Sequence, residues 1–128
     1  RSPNNAERED KGCSEAWMHH KGRNRHHFEY WIDYCLKPEG GVYMGGCKMP
    51  KKYVAEMFCD RIAACRVYQG DKYNDSKPLE YYQWGRGRHL MHEETNAFLE
   101  KLLVMLAEEG EDKAFAWIRQ YRKEHTDY

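Results

Sequence analysis

No apolar run in this sequence approaches the ~20 residues needed to span a bilayer, and no charged-then-apolar signal segment opens it. The expectation is a soluble protein without a membrane partner. Cys-x-x-Cys pairs are also missing. The five cysteines, Cys13, Cys35, Cys47, Cys59 and Cys65, are odd in number, which fits neither a closed disulfide framework nor a thiolate zinc site. Reduced thiols in a cytoplasmic protein are the expected state. An excess of one charge is lacking too: 21 Lys and Arg balance 21 Asp and Glu. The global basic footprint of a dedicated nucleic-acid binder is therefore absent, and attraction for phosphate has to be local. There is no repeat, no low-complexity tract and no period-2 run long enough to count as a sheet. What is present is 128 residues, 41% hydrophobic and 14% aromatic, enough for one modest core. The expected fold class is all-α, a single helical domain.

Residues 1–13 (RSPNNAEREDKGC) are polar and aperiodic and read as a linker or disordered arm; the single helical domain is expected over 14–128. Ser14 suits an N-cap, and helical character runs from there to Cys35, broken near Gly22 to Asn24. The stretch KPEGGVYMGGCK (37–48) reads as a loop. Pro50 opens a helix that closes at Gly70, giving 50–69. A short helix at 77–84 and a Gly-rich turn (GRGR, 85–88) precede a long amphipathic helix at 90–109, with Phe98, Leu99, Leu102, Leu103, Met105 and Leu106 inward. Gly110 ends it. Glu111 and Asp112 favour the start of a last helix, 111–124, whose Phe115, Ile118 and Tyr121 pack back as a helical hairpin. About five helices result. Because the chain opens at Arg1, it is also read as the C-terminal part of a longer native chain.

The segment AWMHHKGRNRHHFEYW (16–31) holds four of the seven histidines. A helical wheel puts His20 and His27 with Asn24 on the stripe of Trp17, Phe28 and Trp31, and His19 and His26 on the other side. A buried unpaired imidazole or amide costs roughly 1–3 kcal/mol, so three polar groups on one aromatic stripe point to a shared partner, a metal ion or a hydrogen-bonded core. On a straight helix His20 and His27 are ~10 Å apart along the axis. A break at Asn24 relieves this and brings His26 in as an alternative ligand.

Asp60 follows Glu56 by one turn, beside Tyr53, Met57, Ala64 and Val67. A carboxylate bordered by apolar residues needs pairing. Facing histidines or their metal would supply it, as would a salt bridge with Arg61 or Arg66. Lys48, Lys51 and Lys52 crowd a helix start, where cations oppose the dipole. With Lys21, Arg23 and Arg25 they form either a basic rim for a phosphate group or a solvated charged face.

The ordered combination Trp17, His20, Asn24, His26, His27, Tyr30, Trp31, followed by M-P-x-x-Y-V-x-E-M-x-C-D (Met49 to Asp60) and His92-x-x-Thr95, resembles domain-of-unknown-function family 5662 of bacteria and phages. Members carry a further His and a His-Asp segment upstream of this region. With that part restored, the ligand order is similar to that of the HD-domain metal-dependent phosphohydrolases. This second resemblance implies an HD-like fold lacking its N-terminal helices here. It further implies that His20, His26 or His27, and Asp60 ligate one or two divalent ions (Mn, Fe or Zn) whose bound water attacks a phosphoester. The upstream segment or a separate chain would then complete the site.

The leading expectation is thus a metal-dependent hydrolase acting on a phosphorylated small molecule or nucleotide. The same donors suit iron, so a di-iron oxygenase is the second reading. The third is a non-enzymatic helical binding module with a structural histidine and aromatic cluster, in which Trp84, Arg86 and Arg88 contact a partner. The expected site comprises His20, His26, His27 and Asp60 for metal and Lys21, Arg23, Asn24, Arg25, Lys51 and Lys52 for substrate. Glu56 and His92 stand nearby.

Overall fold

A computed structural model describes residues 3–85 and 90–128. Its α-helices are α1 (Pro3–Lys11), α2 (Glu15–Lys21), α3 (Lys51–Gln69), α4 (Lys77–Gly85), α5 (Glu93–Glu109) and α6 (Glu111–Glu124). Two strands, β1 (Ile32–Leu36) and β2 (Val42–Gly46), and 3-10 turns at Phe28–Trp31 and Gly70–Lys72 complete the order. No helix among the described residues is long and apolar enough to cross a membrane.

The core lies among the last four helices. Helix α5 is central because its apolar positions recur with helical period: Leu99, Leu102, Leu103 and Leu106 are fully buried. Helices α3, α4 and α6 each pack against it. They supply Val54, Phe58 and Ile62, then Tyr82, then Ala114 and Ile118. The one hydroxyl in this set is satisfied, since Tyr82 donates to Asn96 Oδ1 at 2.9 Å. The buried Thr95 Oγ1 accepts from the Met49 backbone N–H at 3.1 Å, which fixes the entry of α3 against α5. At the other end of α3, Arg66 pairs with Glu111.

Some expectations are corrected. In the opening segment, residues 3–11 are helical instead of disordered, with none of them buried, and Glu7 with Ser14 caps α2. Ser14 Oγ donates to Glu7 Oε1 at 2.7 Å and accepts from Trp17 N at 3.1 Å. The helix expected over 14–35 breaks at Gly22, as its sequence implies, but does not resume as an α-helix beyond the break, and the loop expected at 37–48 contains a strand. Residues 32–36 and 42–46 form an antiparallel hairpin in which Ile32 opposes Gly46, Tyr34 opposes Met44 and Leu36 opposes Val42. The cause is local. Ile32, Tyr34 and Val42, Tyr43 favour extended backbone, and Gly40 and Gly41, at φ 101° and 87°, supply the left-handed conformations of the turn between them. The fold is therefore mostly helical with a small two-stranded sheet. Helix α5, expected at about 90–109, runs from Glu93 to Glu109.

The hairpin is held at its foot by close backbone approach. A Cβ on Gly46 would lie 2.3 Å from the Leu90 carbonyl oxygen and 2.7 Å from His92 N, so only glycine fits there. The Cys47 N–H donates to the Trp31 carbonyl at 2.6 Å, joining the hairpin to the turn that carries the histidines.

Candidate metal centre

Helix α2 ends at Gly22, and residues 22–27 make tight turns in which Asn24 Nδ2 donates to the His20 carbonyl at 2.6 Å. This reversal folds the second histidine pair back over the first. The next residues, 25–31, lie along the stripe of α3 marked by Tyr53, Glu56, Asp60 and Arg61. Contacts along the stripe run in order. Arg25 Nη1 donates to Tyr53 Oη at 3.4 Å, the Trp31 and Tyr53 rings are 6.0 Å apart, His26 Nδ1 is 4.0 Å from Glu56 Oε2, and His26 Nε2 is 3.9 Å from Asp60 Oδ2.

The result is a group of three potential ligands, His26, His27 and Asp60, with donor atoms all within 4.8 Å of one another. Donors on one ion with ~2 Å bonds sit ~3–4 Å apart, so the group needs to close by about one ångström. Asp60, whose side chain is 54% exposed, has the freedom to do so. Two imidazoles and a carboxylate are a donor set that Zn, Mn and Fe accept.

His27 is the buried member, 8% exposed. Burial, reinforced by His26, pushes its pKa from 6.5 down to about 4, against the opposing pull of Asp60. It is therefore neutral at pH 7, the form a metal requires. His20 stands behind it. Their Nε2 atoms are 2.9 Å apart, and two imidazoles joined in this way share one proton, one ring donating and the other accepting. Trp17 packs against both rings, with centroids at 5.6 and 5.0 Å. His20 thus lies outside the group of three and is hydrogen-bonded to its buried member.

Other expected site residues are dispersed. Lys51 is directed away from the group: it is 3.5 Å from Asp127 and lies over the Phe98 and Tyr121 rings. Lys48 pairs with Glu94 at 2.7 Å. Lys52 Nζ sits over the Tyr53 ring at 5.0 Å, close to where Arg25 meets the same side chain. Lys21 is half-buried at the end of α2, and Arg23 is exposed on the following turn. His92 caps α5, its Nδ1 accepting from Glu94 N at 3.1 Å. Of the proposed partner loop, Arg86 and Arg88 lie outside the described residues. Asp60 itself is not enclosed by apolar side chains as its neighbours in sequence implied, because its stripe of α3 forms the rim of a groove.

Two openings flank the group. A groove of about 570 Å³ is lined by His26, Glu56, Cys59 and Asp60 on one wall and by Phe115 and Tyr128 on the other. Burial, then Glu111 and Glu56, push the Cys59 thiol up, which keeps it protonated and unreactive at neutral pH. A cleft of about 260 Å³ shares Asp60 with this groove and includes His27, Glu29 and Arg61. Burial pushes the Arg61 guanidinium down from its ordinary range, with Glu29 acting in the opposite sense. Arg61 Nε and Glu29 Oε2 are both buried without a hydrogen-bond partner. Each such group costs about 1–3 kcal/mol or more. Neither residue is marked for this role by the sequence, although Arg61 adjoins Asp60 and Glu29 follows His27 by two.

A mostly helical protein whose turn-borne histidines meet a helical carboxylate is thus the class that fold and site define. Residues 1–105 match the family of unknown function DUF5662, and the chain belongs to that family. No curated protein and no solved structure gives a significant match to it.

Proposed function

We propose that the protein is a metal-dependent hydrolase of phosphoesters, with His26, His27 and Asp60 as its metal ligands. The observation that carries this reading is the convergence of three donor atoms within 4.8 Å, at the junction of a groove and a cleft. A divalent ion, when bound, supplies Lewis acidity and lowers the pKa of coordinated water from 15.7 toward ~7. His27 remains neutral through its burial and is oriented by His20. Asp60 contributes the negative charge and, being exposed, can adjust to the ion. Glu56, at the groove mouth beside His26, is placed to hold the proton that an attacking water gives up. The apolar wall of Phe115 and Tyr128 would pack against the organic part of the ester. Three protein ligands leave coordination positions open, as in catalytic rather than structural sites.

An HD-like relationship is part of the proposal; its ground is the order His26, His27, Asp60 taken together with the upstream His-Asp segment that the resemblance implies. The odd number of cysteines and the lack of Cys-x-x-Cys support a reducing compartment, the cytoplasm. The test is calorimetric titration of Mn(II), Fe(II) and Zn(II) into protein purified without a His tag, followed by hydrolysis of p-nitrophenyl phosphate with the bound metal. Wild type is expected to bind metal, His26→Ala and Asp60→Ala to lose it, and His20→Ala to weaken it by ~10–100-fold through misorientation of His27. Absence of binding by the wild type, with the melting temperature unchanged in Asp60→Ala, would leave the histidines as a structural cluster.

A further inference from the structure

The cleft beside the three ligands contains charges that metal ligation alone does not use. Met57, Asp60, Arg61 and Ala64 form one stripe of α3, over which Trp17 and residues 27–29 close to make the cleft. Within it, Arg61 Nε is buried with no acceptor, and Glu29 Oε2 is buried with no donor. The two residues are not saturating each other at these atoms. A guanidinium presents its donors as a rigid planar fork matched to the oxygens of a phosphate.

The charges set a condition on that match. Asp60 and Glu29 against Arg61 leave one net negative charge around the cleft. Glu56 lies outside it, at the groove mouth, where its 58% exposed side chain is screened by solvent. An anion is therefore repelled from the metal-free site. A divalent ion on His26, His27 and Asp60 reverses the local sign to one net positive charge. Arg61 then has both an unused donor and a field that favours an acceptor.

We infer that Arg61 is the phosphate-binding residue of this site, and that it binds phosphate only after the metal. The inference rests on the metal reading proposed above. It assigns to one half-buried arginine the task for which the basic residues Lys21, Arg23, Arg25, Lys51 and Lys52 are the candidates by sequence, and it gives Glu29 the opposite role of weakening anion binding until metal is present.

Inorganic phosphate is the probe, titrated calorimetrically into wild type, Arg61→Lys and Glu29→Gln, with and without saturating Mn(II). Arg61→Lys keeps the charge but not the fork, and thermal melting checks that each variant is folded. With metal, phosphate should bind Arg61→Lys at least ~10-fold more weakly than wild type, while the affinity for Mn(II) itself is unchanged. Glu29→Gln should bind phosphate several-fold more tightly, a gain that a merely structural role for the pair would not produce. Equal phosphate affinity in wild type and Arg61→Lys overturns the assignment. If Mn(II) fails to bind at all, the metal reading fails by itself. Arg61 is then tested in the metal-free Glu29→Gln background, where the net charge is zero. Phosphate binding there that is lost in Glu29→Gln/Arg61→Lys sustains Arg61 as a phosphate ligand but overturns the metal-first order, and no difference between the two proteins rejects the assignment.

Discussion

Lowering the pH should destabilise the metal-free protein through His27 by an amount that can be worked out from its burial. In the unfolded chain this imidazole titrates near 6.5, and in the folded chain at about 4. Between these values the unfolded state binds more protons, so stability rises with pH across the window. The contribution is fully present above about pH 6.5 and is lost as pH falls through 4. Linkage gives a loss of about 1.4 kcal/mol at pH 5.5, about 2 kcal/mol at pH 5 and about 3 kcal/mol at pH 4. That is a large fraction of the 5–15 kcal/mol typical of a small domain. Because carboxylates also titrate in this range, the measurement is differential: urea unfolding of wild type and His27→Gln at pH 7, 5.5, 5 and 4. The glutamine retains a hydrogen-bonding group for His20 but does not titrate. Wild type should lose about 3 kcal/mol more than the variant between pH 7 and 4. Parallel curves for the two proteins would refute the claim that burial holds His27 neutral.

Three further outcomes test the frame that carries the site. Gly46→Ala should cost about 1–3 kcal/mol or more, since the added Cβ meets backbone at 2.3 Å; chemical denaturation measures it, and a neutral result would mean that the hairpin foot is not packed on residues 90–92. Thr95→Val should cost about 1–3 kcal/mol by leaving the Met49 N–H without its acceptor, and hydrogen exchange at Met49 should speed up. Leu102→Ala, in the fully buried stripe of α5, should cost about 2–5 kcal/mol, read from the urea midpoint; a cost below 1 kcal/mol would argue against α5 as the central helix.

The helices of the core were legible because each carries its own punctuation. Pro50 and Gly70 bracket α3, Gly110 separates α5 from α6, and the leucines of α5 repeat with the helical period. The hairpin is not legible at its first strand because Trp31 to Cys35 has apolar spacing compatible with a helical stripe as well as with a strand. The deciding signal lay further on, in the Pro-Glu-Gly-Gly turn followed by Val42 and Tyr43. Helix α1 escaped notice because none of its residues is buried, so no apolar period betrays it. The meeting of His26, His27 and Asp60 could be anticipated from residue type and from the break at Asn24. That break already admits His26 beside His27; that His20 stays outside the group of three depends on the path of the chain through the turn. Helical phase separates Lys51 from the site: it precedes Asp60 by nine residues, about 180° around α3. By sequence Arg61 is, with Arg66, one candidate salt-bridge partner of Asp60, and nothing there marks it as lining a cleft.

The hairpin between the histidines and Asp60 also bears on the order in which the molecule assembles. Contacts among α4, α5 and α6 join segments close together in the chain, whereas His26 reaches Asp60 across 34 residues, with β1 and β2 in the loop that must close. Local contacts form early and long closures late. The helical core should consequently be in place before the turn carrying His26 and His27 docks on α3, and a metal ion would be captured by a protein already mostly folded. Its effect would then appear chiefly as slower unfolding of that last docking step, leaving the rate of folding of the core unchanged.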